Sequence, residues 1–92
     1  MKTVTIQTQH PDPSKTNKNI TVAKYEQIRT ALLSILANGE LTHTELMEAL
    51  YQQVKDTFDG GVQWYGETVK LDLEARKLIT RTNDKPQKYK LV

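Results

Sequence analysis

GVQWYGETVKLDLEARKLITRTNDKPQKYKLV, residues 61–92, changes its periodicity partway along. Val62, Tyr65, Val69 and Leu73 recur at three- and four-residue spacing, which at about 100° per residue gathers them on one side of a helix as a core face. After Lys77 the spacing shortens: Leu78-Ile79-Thr80-Arg81-Thr82 reads as a strand and Asn83 to Gln87, containing Pro86, as a loop. Lys88-Tyr89-Lys90-Leu91-Val92 then reads as the returning strand. The end of the chain is therefore predicted to be a helix that runs directly into a basic hairpin.

Two more helices precede it. Thr42-His43-Thr44-Glu45 fits a capping box, with Leu41 and Leu46 placed as a hydrophobic staple, and the helix it starts turns Leu46, Ala49, Leu50 and Val54 inward before ending near Lys55. Phe58 and the Asp59-Gly60-Gly61 turn follow, and Glu40-Leu41 is placed for a very short strand ahead of the cap. Upstream, Thr21 is suited to cap a helix over about residues 22–37, with Tyr25, Ile28, Leu32 and Leu36 as its stripe and Asn38-Gly39 as its stop. MKTVTIQTQ alternates like a short half-buried strand with Val4 and Ile6 on one face, and HPDPSKTNKN reads as a loop. The order helix, helix, helix, strand, wing, strand predicts an α+β, mainly α fold. It is a winged helix, a three-helix bundle with a C-terminal β-hairpin wing, joined by a short N-terminal strand or arm. Residues 1–21 form the arm and loop, and residues 22–92 form the winged-helix part of one globular domain.

Residues 22–92 resemble a winged helix-turn-helix, and LEARKLITR is similar to the junction between third helix and wing in many bacterial regulators, where glycine is usual at the position of Lys77. The whole chain also resembles a small family of uncharacterised bacterial proteins marked by HPDPSKT, GELT, FDGGVQWY and TVKLDLEARKLI. The first resemblance implies DNA binding through the third helix and wing. The second implies no particular activity.

Charge is segregated along the chain. Residues 1–24 carry a net +3, residues 25–75 a net −6 and residues 76–92 a net +5, so a polyanion should favour the ends. The absence of cysteine excludes a disulfide framework and thiolate metal sites, and the N-terminus lacks the continuous apolar run of a signal peptide or membrane span. A soluble, cytoplasmic protein is expected. His10 reads as a turn residue and His43 as a surface residue of the first helical turn, and neither belongs to a metal-ligand spacing. Asp59-Gly60-Gly61 lacks the Lys-Ser or Lys-Thr of a phosphate loop. No catalytic residue, cofactor or metal is predicted, and the chain reads as a non-enzyme.

Binding residues are easier to propose. Arg81, Lys85, Lys88 and Lys90, extended by Arg76 and Lys77, are suited to phosphates, while Gln63 and Lys70 are what the third helix offers to base edges of double-stranded DNA. Glu67, Asp72 and Glu74 oppose that role and read as a solvated polar face. Alternating lysines on a terminal hairpin also protect an exposed edge from aggregation. Trp64 and Leu71 form a second apolar stripe, and a homodimer or protein partner anchored on them is the alternative function. If no partner buries that stripe, the N-terminal strand is expected to cover it through Val4 and Ile6.

Overall fold

The capping box forms as its residues dictate. In a computed structural model describing residues 4–92, the Thr42 hydroxyl accepts from the Glu45 backbone N–H at 3.2 Å and Glu45 accepts from the Thr42 N–H at 2.9 Å. Both bonds satisfy donors that a helix start leaves without partners. The elements are β1 (Thr5–Gln7), β2 (Asn19–Thr21), α1 (Val22–Leu36), β3 (Leu41–Thr42), α2 (His43–Val54), α3 (Val62–Ala75), β4 (Ile79–Arg81) and β5 (Lys88–Leu91). The expectation of a strand at Met1, Lys2 and Thr3 lies outside the described residues.

Three helices and two small antiparallel sheets make an α+β fold. One sheet is the pair β1–β2, and the other has the order β3-β5-β4, with Leu41 opposite Tyr89 and Arg81 also opposite Tyr89 on its other side. The helices meet around Ile28 and Leu32 of α1, Leu46 and Leu50 of α2, and Val69 and Leu73 of α3, all fully buried, while Ile79 and Tyr89 close the core from the hairpin. Burial of each such aliphatic side chain contributes about 1.5–3 kcal/mol.

Gly66 lets α2 and α3 approach closely. A Cβ there would lie 2.6 Å from Leu50 Cδ2 and 3.0 Å from Met47 Sδ. At the other end of α3, Lys77 adopts φ +66°, the Lys77 N–H donates to Glu74 O at 3.1 Å and the Leu78 N–H to Leu73 O at 3.0 Å. That is a Schellman stop, in which the left-handed position usually belongs to glycine. It sends the chain back as β4.

Sequence periodicity misses one strand. Asn19–Thr21 pairs with β1 in the register Thr5 with Thr21, Ile6 with Ile20 and Gln7 with Asn19, so Ile20 enters the core and Thr21 caps α1 from the end of a strand. The arm also does not shield Trp64. Ile6 packs against the core, Val4 is 68% exposed and Trp64 48% exposed, because pairing with β2 holds the strand beside α1. What reaches α3 is the following loop: the Gln9 N–H donates to Asp72 Oδ1 at 2.7 Å and Asn17 Nδ2 to Thr68 O at 2.9 Å. Among the described residues, no helix is long and apolar enough to cross a membrane.

Candidate nucleic-acid interface

Helix α3 is almost enclosed. Of its 14 residues only Gln63, Trp64 and Glu67 are exposed, because α1, α2, the hairpin and the Gln9–Asn17 loop each take part of its surface. Lys70 is consequently not available to base edges. It is 4% exposed, with Nζ 3.9 Å from the centroid of the Tyr89 ring and 3.9 Å from Glu74 Oε1. Helix periodicity locates the side facing the other helices but not the side that the hairpin folds over, so Lys70 looks free when only sequence is read.

The carboxylates of α3 are engaged rather than solvated. Asp72 is fully buried and accepts from the Tyr25 hydroxyl at 2.5 Å, from the Gln9 N–H and from Arg76 Nε at 2.9 and 3.0 Å. Glu74 accepts from Arg81 Nε at 2.7 Å and Nη2 at 3.3 Å, a two-pronged bond, while also facing Lys70. Only Glu67 keeps the exposed position expected for all of them. Hydrogen bonds to Asp72 and Glu74 raise the pKa values of Arg76 and Arg81 above the ordinary guanidinium range. Burial and the hydrogen bond to Asp72 push the Tyr25 hydroxyl up to about 12.

The same alternation that buries Tyr89 sorts the hairpin's charges. Arg81 and Tyr89 are register partners on the face that also holds Ile79, and the Arg81 guanidinium lies 5.5 Å from the Tyr89 centroid. Lys90, opposite Thr80, and Lys88, opposite Thr42, fall on the outer face by the two-residue period of a strand. Lys85 is exposed in the loop between the strands and Lys77 is exposed at the turn after α3. Lys77, Lys85, Lys88 and Lys90 make no ion pair among the described residues, whereas Lys70, Arg76 and Arg81 each do. The six-cation patch expected around the wing therefore divides: Arg76 and Arg81 fasten the fold, while Lys77, Lys85 and Lys90 are exposed and Lys88 is half-buried.

His43 departs from its expected surface role. Its ring meets Tyr89 edge-on at 6.5 Å between centroids, and its Nδ1 is buried without a hydrogen-bond partner. Desolvation first, and the charge of Lys70 second, lower its pKa against the weaker opposing pull of Glu67. His10 behaves as a turn residue, its Nδ1 accepting from the Asp12 N–H at 2.9 Å.

Trp64 and Leu71 are not equivalent. Trp64 is half-exposed and stacks edge-on against Tyr65, which does the same with Phe58 at centroid distances of 4.8 and 5.1 Å, while Leu71 is only partly accessible. Lys24 lies above this ladder, 5.1 Å from the Tyr65 ring centroid.

Residues 5–89 match the family of unknown function DUF6958, and the chain belongs to that family. Comparison with curated proteins and with solved structures gave no match.

Proposed function

We propose that this member of the DUF6958 family is a winged-helix domain that grips the phosphate backbone of double-stranded DNA through its hairpin, with α3 kept out of the major groove. The order α1, β3, α2, α3, β4, β5 with β5 central in the sheet supports the fold assignment. One observation carries the function: Lys85, Lys88 and Lys90 on the hairpin make no ion pair among the described residues, nor does Lys77 at the turn after α3, while Lys70, Arg76 and Arg81 are held by the carboxylates of α3. Phosphate contacts fix position without reading sequence, and base-edge readout from α3 is reduced to Gln63 beside Glu67. Binding is accordingly weak in sequence preference and steep in salt.

Three lysines that each neutralise one phosphate give a log–log salt slope of about −2.7, so affinity for a duplex falls roughly 40-fold between about 50 mM and about 200 mM salt. Fluorescence anisotropy with a labelled duplex measures it. The combined variant Lys85→Gln, Lys88→Gln, Lys90→Gln, which changes only accessible side chains, loses most of the affinity and most of the slope. Absence of association at the lower salt concentration would refute the reading.

The half-exposed Trp64 favours a second reading, a homodimer or hetero-partner seated on the N-terminal half of α3. Light scattering across protein concentration tests the homodimer. A dimer that survives Trp64→Ala places the contact elsewhere, and a strict monomer leaves only the hetero-partner.

A further inference from the structure

A groove of about 360 Å³ runs between α2 and α3, lined by His43, Thr44, Met47, Glu48, Tyr51 and Gln63. Its chemistry is opposite to that of the hairpin. Glu48 is exposed, makes no ion pair among the described residues and is bonded only to the neutral amide of Gln52 at 3.0 Å. Glu67, one turn beyond Gln63, is likewise exposed and unpaired, and acts electrostatically on His43 in the groove wall. Tyr51 is 48% exposed and has no aromatic partner among the described residues. Met47 supplies an apolar, polarizable floor. The neighbouring cation, Lys70, is buried and faces Tyr89 and Glu74 instead.

We infer that this groove receives an arginine side chain from a basic, extended segment of a protein partner. A guanidinium is planar, stacks on a tyrosine face and donates in a fork to a carboxylate, which is what Tyr51 and Glu48 offer from adjacent turns of α2. Phosphate is repelled by the same carboxylates, so the groove and the hairpin serve different ligands. A second copy of this chain is a poorer fit, because its accessible hairpin cations are lysines and its hairpin arginine, Arg81, is bonded to Glu74.

The probe is a peptide of sequence Gly-Arg-Gly-Gly-Arg-Gly-Gly-Arg-Gly and its counterpart with citrulline at each arginine, titrated into the isotopically labelled full chain. The arginine peptide is expected to shift the amides of Thr44, Glu48, Tyr51 and Gln63 to saturation. The citrulline peptide, which keeps the shape but not the charge, is expected to bind at least tenfold more weakly. Glu48→Gln and Tyr51→Ala, both at exposed positions, each weaken the arginine peptide several-fold and leave duplex affinity unchanged. The inference is overturned by equal binding of both peptides, by shifts that gather outside the groove, by affinity insensitive to Glu48→Gln, or by no binding at millimolar peptide. A dimer of the free chain that Glu48→Gln dissociates would assign the groove to a second copy and overturn it as well. Loss of duplex binding in the hairpin variant alone would bear on the proposed function and leave this groove untouched.

Discussion

Replacing Asp72 by alanine removes the acceptor on which three parts of the chain converge: Gln9 of the N-terminal loop, Tyr25 of α1 and Arg76 at the end of α3. An aspartate on the solvated face of a helix would tolerate this change within about 0.5 kcal/mol. Here the magnitude is larger. The Tyr25 hydroxyl is left without its partner in a residue only 4% exposed, a loss of about 1–3 kcal/mol for a buried unsatisfied donor. Breaking the charge-assisted bonds from Gln9 and Arg76 adds about 1.5–2 kcal/mol, held down because the Arg76 side chain is 34% exposed and can rehydrate. The sum is about 2.5–5 kcal/mol, a large share of the roughly 5–15 kcal/mol that holds a domain together. Urea unfolding followed by circular dichroism reads it as a midpoint lowered by roughly 2–5 M, with a slope of about 1–1.5 kcal/mol/M expected for a small domain. Adding Tyr25→Phe to Asp72→Ala removes the orphaned hydroxyl, so the double variant is less destabilised than the two single losses summed. Amide exchange at Gln9 should accelerate as its acceptor disappears. A loss below about 1 kcal/mol from Asp72→Ala would refute the hub and return this residue to the surface role that sequence suggests.

Three further outcomes test the packing and the turns. Gly66→Ala gains about 1 kcal/mol of helix propensity but forces a methyl to within 2.6 Å of fully buried Leu50, where overpacking costs about 1–3 kcal/mol; a net loss of about 1 kcal/mol is expected, and a raised melting temperature would contradict it. Lys77→Gly relieves a left-handed position at φ +66° and should stabilise the fold by about 0.5–1 kcal/mol, measured by thermal unfolding. Tyr25, raised from the usual 10.0 to about 12, holds its proton more tightly in the folded chain, so its contribution is complete below pH 10, where both states are protonated, and is lost as pH rises towards 12 because the unfolded chain ionises first. The difference in stability between the native chain and Tyr25→Phe should therefore shrink across that range, and a constant difference would contradict the assignment.

How much of this was legible depended on the range of the interaction. The capping box at Thr42 and Glu45, the stop after α1 and the three helical stripes are local patterns, and the helices formed within a residue or two of them. Membership of an uncharacterised family was legible in HPDPSKT and FDGGVQWY, which fall within the matched residues 5–89. The lysine-bearing strand Lys88–Leu91 was visible from its alternation. What sequence did not disclose was which sides of α3 become covered. Lys70, Asp72 and Glu74 look polar and solvated on a helical wheel, yet they meet Tyr89, Tyr25 and Arg81 from segments 7 to 47 residues away in sequence. Sequence grouped Arg81 with Lys85, Lys88 and Lys90 as phosphate contacts, because the register that aligns Arg81 with Tyr89, and the fold that brings it to Glu74, are tertiary facts. Asn19–Thr21 escaped notice because a three-residue strand has too little periodicity to stand out.

The direct measurement is an amide chemical-shift map of the isotopically labelled chain titrated with a short duplex near 50 mM salt, conditions under which phosphate contacts are favoured. Perturbations concentrated at Thr80 and from Asn83 to Lys90, with Gln63, Trp64 and Glu67 unmoved, are the predicted result. Perturbations centred on the exposed side of α3 instead, or none at all, would contradict a hairpin that holds the backbone while its neighbouring helix stays out of the groove.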